Sequence, residues 1–229
     1  MQIRLYHTVD HQCGYYPDRT ARNMIVDPDL TAPTHVYEAL VEQGFRRSGS
    51  EIFRPDCEQC SACIAARVPV QDFRPRRKHR RNLKLNETLT VQVKPARYSA
   101  THFDLYRRYL HNRHNEGGMD NPTIEDYERF LYAKWSKSVF VEAYQGRVLV
   151  AVAVTDVLPN GLSAVYTFYE PTLPHRGLGT FAILKQIELA RDHELSYVYL
   201  GYWIKDHPKM DYKHAFQPLE LYQQGSWTT

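Results

Sequence analysis

The stretch SAVYTFYEPTLPHRGLGTFAILKQIELARD, Ser163 to Asp192, decides how this chain folds. SAVYTFYEP has the aromatic and β-branched content of a strand. HRGLGT is a tight glycine loop, and TFAILKQIELARD runs on as a helix before SYVYLGYWI forms a further strand. A helix that starts on a glycine loop presents backbone N–H groups with no partner of their own, and its dipole favours an anion there. The same glycines also suit a plain strand-to-helix turn. Upstream, SVFVEAY and RVLVAVAVTDVL read as strands joined at Gln145-Gly146. Before them lie two helices. SATHFDLYRRYLHNRHNEGG starts at Ser99, puts Phe103, Tyr106 and Leu110 on one face and ends at Gly117; PTIEDYERFLYAKW is capped by Thr123.

The first third, to about Val70, is irregular and punctuated by Gly, Pro and Cys. A helix is expected in APTHVYEALVEQG, where Val36, Leu40 and Val41 share a face, Pro33 sits near the start and Gly44 at the stop. IAARVPV and TLTVQVKP read as strands on either side of RPRRKHRRNLK, Arg74 to Lys84. That segment holds seven Lys or Arg and no acid, so taking its seven charges from the net +3 of the chain leaves −4 for the rest. One concentrated basic segment in an acidic remainder is a footprint for a polyanion, although a solvated basic loop has the same composition. Three units are expected: residues 1–73 with the cysteines, 74–98 with the basic segment and a connecting strand, and a regular helix-and-strand unit over 99–229.

The start, MQIRLYHTVDHQC, lacks the apolar core of a secretory signal, and the longest apolar run, Val148 to Leu158, is too short to span a bilayer. A cytoplasmic protein with no membrane contact is expected. In that compartment four cysteines argue against a disulfide framework and leave metal binding, redox chemistry or burial.

The order of helices, antiparallel strands, glycine loop, helix and strand resembles the acyltransferase fold of the GNAT superfamily. It departs from that pattern at Pro174, where a Gln or Arg is usual. The expected class is therefore α/β (α+β), with a GNAT-like core in the C-terminal half and a smaller, irregular, cysteine-containing N-terminal domain. Several segments in order are more specific: CGYYPDRTARN, EQGFRRSGSEIFRPDCEQCSACIAARVPV, DFRPRRKHRRNLK, SAVYTFYEP and YLGYWIKDHPKMDYKHAFQPLELY. Together they resemble the arginyl/leucyl-tRNA–protein transferases, in particular their bacterial, leucine-transferring branch. The resemblance implies transfer of leucine from leucyl-tRNA to the α-amino group of proteins beginning with Asp or Glu, which marks them for N-degron degradation. Arginyl-tRNA as donor, an acetyl-CoA-dependent N-acetyltransferase and a non-enzymatic, metal-stabilised RNA-binding or redox protein stand as alternatives.

An aminoacyl ester is already activated, so the chemistry requires no cofactor and only a modest base for an α-amino group of pKa about 7.7–8.0. Glu170, at the end of YTFYEP, matches an acidic residue before proline in the family and is the candidate base; Tyr166 and Tyr169 are candidates to line the cleft. For the tRNA the candidates are Arg76, Arg77, Lys78, Arg80, Arg81 and Lys84, with Gly177, Leu178 and Gly179 of the loop. An acidic acceptor side chain calls for a cation, best a bidentate arginine. Arg67 matches the arginine that closes the family's cysteine segment, with Arg46 and Arg47 as further candidates. Lys209, Tyr212 and Lys213 match the family's K-M-x-Y-K signature and are expected at the acceptor or the tRNA end, or simply at the surface.

Eukaryotic relatives carry a cysteine quartet proposed to bind metal. Here Cys13 matches, Tyr16 replaces its partner, and Cys60-Ser61 stands where the relatives have an adjacent pair. Cys57 and Cys63 restore the count from other positions, so Cys13, Cys57, Cys60 and Cys63 are the candidate ligands of a structural zinc or iron–sulfur cluster. Burial in a tight turn is the alternative. His114, in RHNEGGMD, reads as a cap or surface residue rather than a ligand.

Overall fold

The structure is a computed structural model, and it describes residues 3–30, 34–113 and 121–229. Pro33, His114 and Gly117 lie outside the described residues. The first third is more regular than its sequence suggests. Short strands β1 (Leu5–His7), β2 (His11–Gln12), β3 (Thr20–Ala21) and β4 (Asn23–Val26) precede helix α1 (Thr34–Glu42), and β5 (Arg46–Ser48) and β6 (Glu51–Pro55) follow it. β1, β4, β6 and β5 form a four-stranded antiparallel sheet in that order. Its strands are three to five residues long, too short to show a period of two among the Gly, Pro and Cys of this region.

β7 (Ile64–Pro69) leaves this region for a second, eight-stranded sheet. The basic segment is not a loop: Arg77–Leu85 is helix α2. Then come β8 (Thr90–Pro95), α3 (Ala100–Arg113), α4 (Ile124–Leu131), β9 (Ser138–Gln145), β10 (Val148–Leu158), β11 (Gly161–Tyr169), α5 (Leu178–Asp192), β12 (Tyr197–Trp203), β13 (Glu220–Gln223) and β14 (Ser226–Thr228). The large sheet runs β14-β13-β7-β12-β11-β10-β9-β8. The protein is thus mixed α/β, built around one large sheet.

Alternation along β10 sets the layers. Leu149, Val152 and Val154 pack with Leu105, Tyr106 and Leu110 of α3 and Tyr127 and Leu131 of α4. Ala151 packs with Leu178 and Phe181 of α5, and Ala153 with Ala182. The Thr123 cap is real, its hydroxyl accepting from the Asp126 backbone N–H at 3.1 Å while Asp126 accepts from the Thr123 N–H. No helix among the described residues is long and apolar enough to cross a membrane.

The two sheets are joined through Arg47, on β5. Its Nε and Nη2 donate to the two carboxylate oxygens of Asp156 on β10, at 2.6 and 2.7 Å. Nη1 donates to the Gly49 carbonyl and Nη2 also to the Leu131 carbonyl at the end of α4, each at 3.1 Å. Arg47 is 1% and Asp156 0% exposed. Arg47 is therefore spent inside the fold and has no free face for an acceptor.

Arg47→Met leaves Asp156 buried without its cation. The expected loss is about 3–5 kcal/mol of unfolding free energy, read by urea titration. A loss below about 1 kcal/mol contradicts this role.

Candidate active site

β11 and β12 run parallel and pair only from Gly161 with Tyr197 to Ser163 with Tyr199. Beyond that register they part, and the opening between them faces the end of β11 and the loop into α5. Arg46, the neighbour of Arg47 on β5, enters this opening. Its Nη2 donates to the Val165 carbonyl at 3.0 Å. Its guanidinium also lies 5.8 Å from the centre of the Tyr202 ring. Gly201, at φ +71, makes the approach possible: a Cβ there would lie 2.8 Å from Arg46 Nη1.

At the end of β11, Glu170 accepts from Arg108 Nη2 at 3.0 Å and from the Thr172 hydroxyl at 2.9 Å. Burial pushes the carboxyl up, but hydrogen bonds from Thr172 and Arg108 outweigh it and hold Glu170 below the usual carboxylate range. Tyr169 accepts from Arg113 Nη1 at 2.9 Å and lies against Gly179 of the loop. Tyr166 packs among Tyr106, Tyr109 and Phe130, and burial raises its phenol. The structure thus brings Glu170, Tyr169, Tyr166 and the glycine loop to one strand end. It adds Arg108 and Arg113 from α3, which the sequence reading did not single out. Their polar helix face carried no distinguishing signal; only a charge requirement at the end of β11 would have selected it.

α2 lies beside the same loop. Arg74, Arg76, Arg77, Lys78, Arg80, Arg81 and Lys84 are all exposed, and none pairs with a carboxylate among the described residues. The inner side is anchored by His79, whose ring stacks on Phe216 at 5.0 Å, and by Asn82 and Asn86, which reach the loop carbonyls.

Arg67 stands elsewhere. Its Nε donates to Glu220 at 2.6 Å, and its guanidinium lies between the rings of Tyr197 and Trp227, 3.6 and 4.4 Å from their centres. It ties β7 to β13 and is 8% exposed. Lys213 is likewise not a surface cation. It is 4% exposed, and its Nζ donates to the Tyr202 carbonyl at 2.6 Å. Burial, with Arg46 close by, pushes its amine down to about 7 against a smaller opposing pull from Cys63. Tyr212 is half exposed, and Lys209 is exposed on the same segment.

The four cysteines line one cavity of about 40 Å³ with Tyr16 and Arg19. Three of the four sulfurs accept hydrogen bonds from the protein. Cys13 accepts from the Tyr15 N–H, Cys57 from the Arg22 N–H, and Cys60 from Arg19 Nη1 at 3.3 Å. Among the described residues no three His, Cys, Asp or Glu side chains are arranged to hold a metal ion. The zinc or iron–sulfur expectation does not fit this arrangement.

Residues 11–81 match the family profile described as arginine-tRNA-protein transferase, N terminus, and residues 101–223 match its C-terminus counterpart. The chain belongs to the arginine-tRNA-protein transferase family. Among curated relatives, the aspartate/glutamate leucyltransferase of Alcanivorax borkumensis is 48% identical over 98% of this chain and 93% of its own length. That of Pseudomonas fluorescens is 48% identical over 100% of this chain and 97% of its own. Among solved structures, that of L-PGS from Bacillus licheniformis superposes at TM-score 0.47 and 13% identity, over 65% of this chain and 49% of that one. Family membership makes an aminoacyl-tRNA and a protein the two substrate classes.

Lys213 has a pH signature. Its folded pKa lies below the unfolded value of about 10.4. Between about pH 7 and 10.4 the unfolded chain therefore holds a proton that the folded chain lacks. Stability rises with pH through this window, and the contribution is lost as pH falls toward 7. Lys213→Met removes that dependence. Its stability relative to wild type is expected to be highest near pH 7 and to decline toward pH 10, by up to about 1.4 kcal/mol per pH unit. Parallel urea-stability profiles for the two chains refute a depressed Lys213.

Proposed function

We propose that this chain transfers leucine from leucyl-tRNA to the α-amino group of proteins beginning with Asp or Glu, and so marks them for N-degron degradation in the cytoplasm. The observation that carries the reading is near full-length identity of 47–48% with proteins named aspartate/glutamate leucyltransferase. The geometry supports it. In this reading the C-terminal half is a GNAT-like acyltransferase core, preceded by a small cysteine-containing unit over 1–73 and the connecting basic segment over 74–98. The tRNA backbone lies on the exposed cations of α2, and the leucyl ester lies against the glycine loop at Gly177, Leu178 and Gly179.

The acceptor amine attacks the ester carbonyl. The carbonyl oxygen takes the negative charge of the tetrahedral intermediate, and the backbone N–H groups that begin α5 stabilise it. Collapse expels the ribose hydroxyl, which regains a proton, and leaves a peptide bond. Glu170 stays anionic beside Arg108, so its role is to hold and orient the incoming amine by charge more than to take its proton. An amine of pKa about 7.7–8.0 reaches its neutral form with water as the proton acceptor. Tyr166 and Tyr169 form the wall, and no cofactor takes part in these steps.

The acidic side chain of the acceptor meets Arg46, whose Nη2 alone has a hydrogen-bond acceptor among the described residues, with Lys209 and Tyr212 at the rim. Arg46 in the strand opening, and Pro174 in the loop, count against the acetyl-CoA alternative.

Incubation with leucyl-tRNA is expected to put leucine on peptides beginning with Glu or Asp and not on one beginning with Lys. Acetyl transfer in its place overturns the reading. Arg46→Ala is expected to lower kcat/KM for the Glu peptide by about 10–100-fold, with the KM for leucyl-tRNA within about twofold of wild type. An equal loss for a Gln-initiated peptide removes Arg46 from acceptor recognition.

A further inference from the structure

The glycine loop is clamped from two sides. On one side Glu170 and Thr172 tie the start of the loop to Arg108 of α3. On the other side the clamp is made by two asparagines of the basic helix. Asn82 uses both hydrogens of its amide on the loop, donating to the Arg176 carbonyl at 3.0 Å and the Gly177 carbonyl at 3.1 Å. Asn86, one turn on, donates to the same Arg176 carbonyl at 2.8 Å and to the Asn82 carbonyl at 3.0 Å. Asn86 is completely buried.

Orienting Asn82 this way has a cost. Its Oδ1 is buried without a hydrogen-bond partner, a penalty a protein avoids where nothing else is gained. Gly177 fits the contact on two counts. It adopts φ +58, and a Cβ there would lie 2.8 Å from Asn82 Nδ2. The asparagines therefore grip the peptide that caps α5, where the unpartnered backbone N–H groups begin. The cations at 77, 78, 80, 81 and 84 project from the same nine-residue helix into solvent. A displacement of α2 moves the loop backbone, because the joining bonds end on main-chain carbonyls rather than on mobile side chains.

We infer that Asn82 and Asn86 are positioning residues that couple RNA docking on α2 to the placement of the glycine loop, so that the body of the tRNA sets the geometry at the ester. The inference rests on the reading of α2 as the tRNA-contact helix. It assigns these two neutral side chains a part in the turnover of full-length leucyl-tRNA that the cations alone do not supply.

The test compares two donors, intact leucyl-tRNA and a short leucylated 3′-terminal oligonucleotide that cannot reach α2. In the wild type kcat with the intact donor is expected to exceed kcat with the short one. Asn82→Leu keeps the side-chain volume and removes the donors. It is expected to lower kcat on intact leucyl-tRNA by about 10–100-fold with KM within about twofold, and to bring the ratio of kcat on the two donors toward one. Asn82→Asp, which keeps the side-chain shape and replaces the amide donors by acceptors, is expected to do the same, and guards against a folding defect peculiar to Asn82→Leu. A purely structural defect lowers both donors alike and keeps the ratio. That result overturns the inference, as does a wild-type ratio of one.

The double variant Arg80→Glu, Arg81→Glu separates the underlying reading. If it leaves the KM for leucyl-tRNA unchanged, α2 is not the RNA face, and the coupling falls with it. If it raises that KM while Asn82→Leu keeps the donor ratio, α2 binds RNA and only the coupling is wrong.

Discussion

The Arg47–Asp156 ion pair is the constraint on which the candidate site depends. It joins the small sheet to the middle of the large one and takes the carbonyl that ends α4 into the same network. Isolated burial of either charge is prohibitive, so both stay in place or neither does. Successive residues on a strand point to opposite faces. Fixing Arg47 in one direction therefore fixes Arg46 in the other, toward the gap between β11 and β12. A cation in the gap is a consequence of how the two sheets are fastened, and the glycine at 201 is the matching accommodation on β12.

The basic helix follows a different logic. Its first turn holds Arg77, Lys78 and Arg80 and no acid, the wrong charge for the positive end of a helix dipole. Nine residues of this composition have little reason to be helical alone. Tertiary contacts supply the reason: the stack of His79 on Phe216, the apolar contacts of Leu83 and the asparagine bonds to the loop. The fold thus holds seven like charges close together against their repulsion. A polyanion relieves that repulsion, and salt weakens both the repulsion and the relief.

The long elements were legible because they repeat their pattern often enough. β10 runs eleven residues and α5 fifteen, and each shows its period. The small sheet was not, since three to five residues carry one or two alternations. The arginines show a deeper limit. Arg46, Arg47 and Arg67 all lie on strands near the cysteine segment, and nothing local separates them. Arg47 is claimed by an aspartate 109 residues away and Arg67 by a glutamate 153 residues away, while Arg46 meets a backbone carbonyl and the ring of Tyr202. Which cation stays available was decided by tertiary partners. Lys213 was hidden for the same reason: a lysine in K-M-x-Y-K reads as a surface charge until the Tyr202 carbonyl and Arg46 are beside it. Cys13, Cys57, Cys60 and Cys63 were legible as a group, and they do share a cavity, but among the described residues no three ligating side chains are arranged to hold a metal ion.

Charge balance around the strand opening has a chemical logic under the proposed reaction. The donor ester is activated before it arrives, so the barrier left to lower is one of orientation and of charge at the carbonyl oxygen. An acceptor of this class carries a carboxylate close to a nitrogen that must shed its proton. Every extra cation nearby favours the neutral amine but also competes for the carboxylate. Lys213, held down to about 7 by burial and Arg46, is largely removed from that competition above neutral pH, leaving Arg46 as the cation in the opening. Glu170 meets the complementary need. Kept anionic by Thr172 and Arg108, it draws the amine toward the loop without needing to accept its proton. A carboxylate tuned upward would be a better base here but a poorer anchor for a nitrogen that still arrives partly protonated. The downward shift of Glu170 is therefore the direction that suits a site whose principal task is alignment.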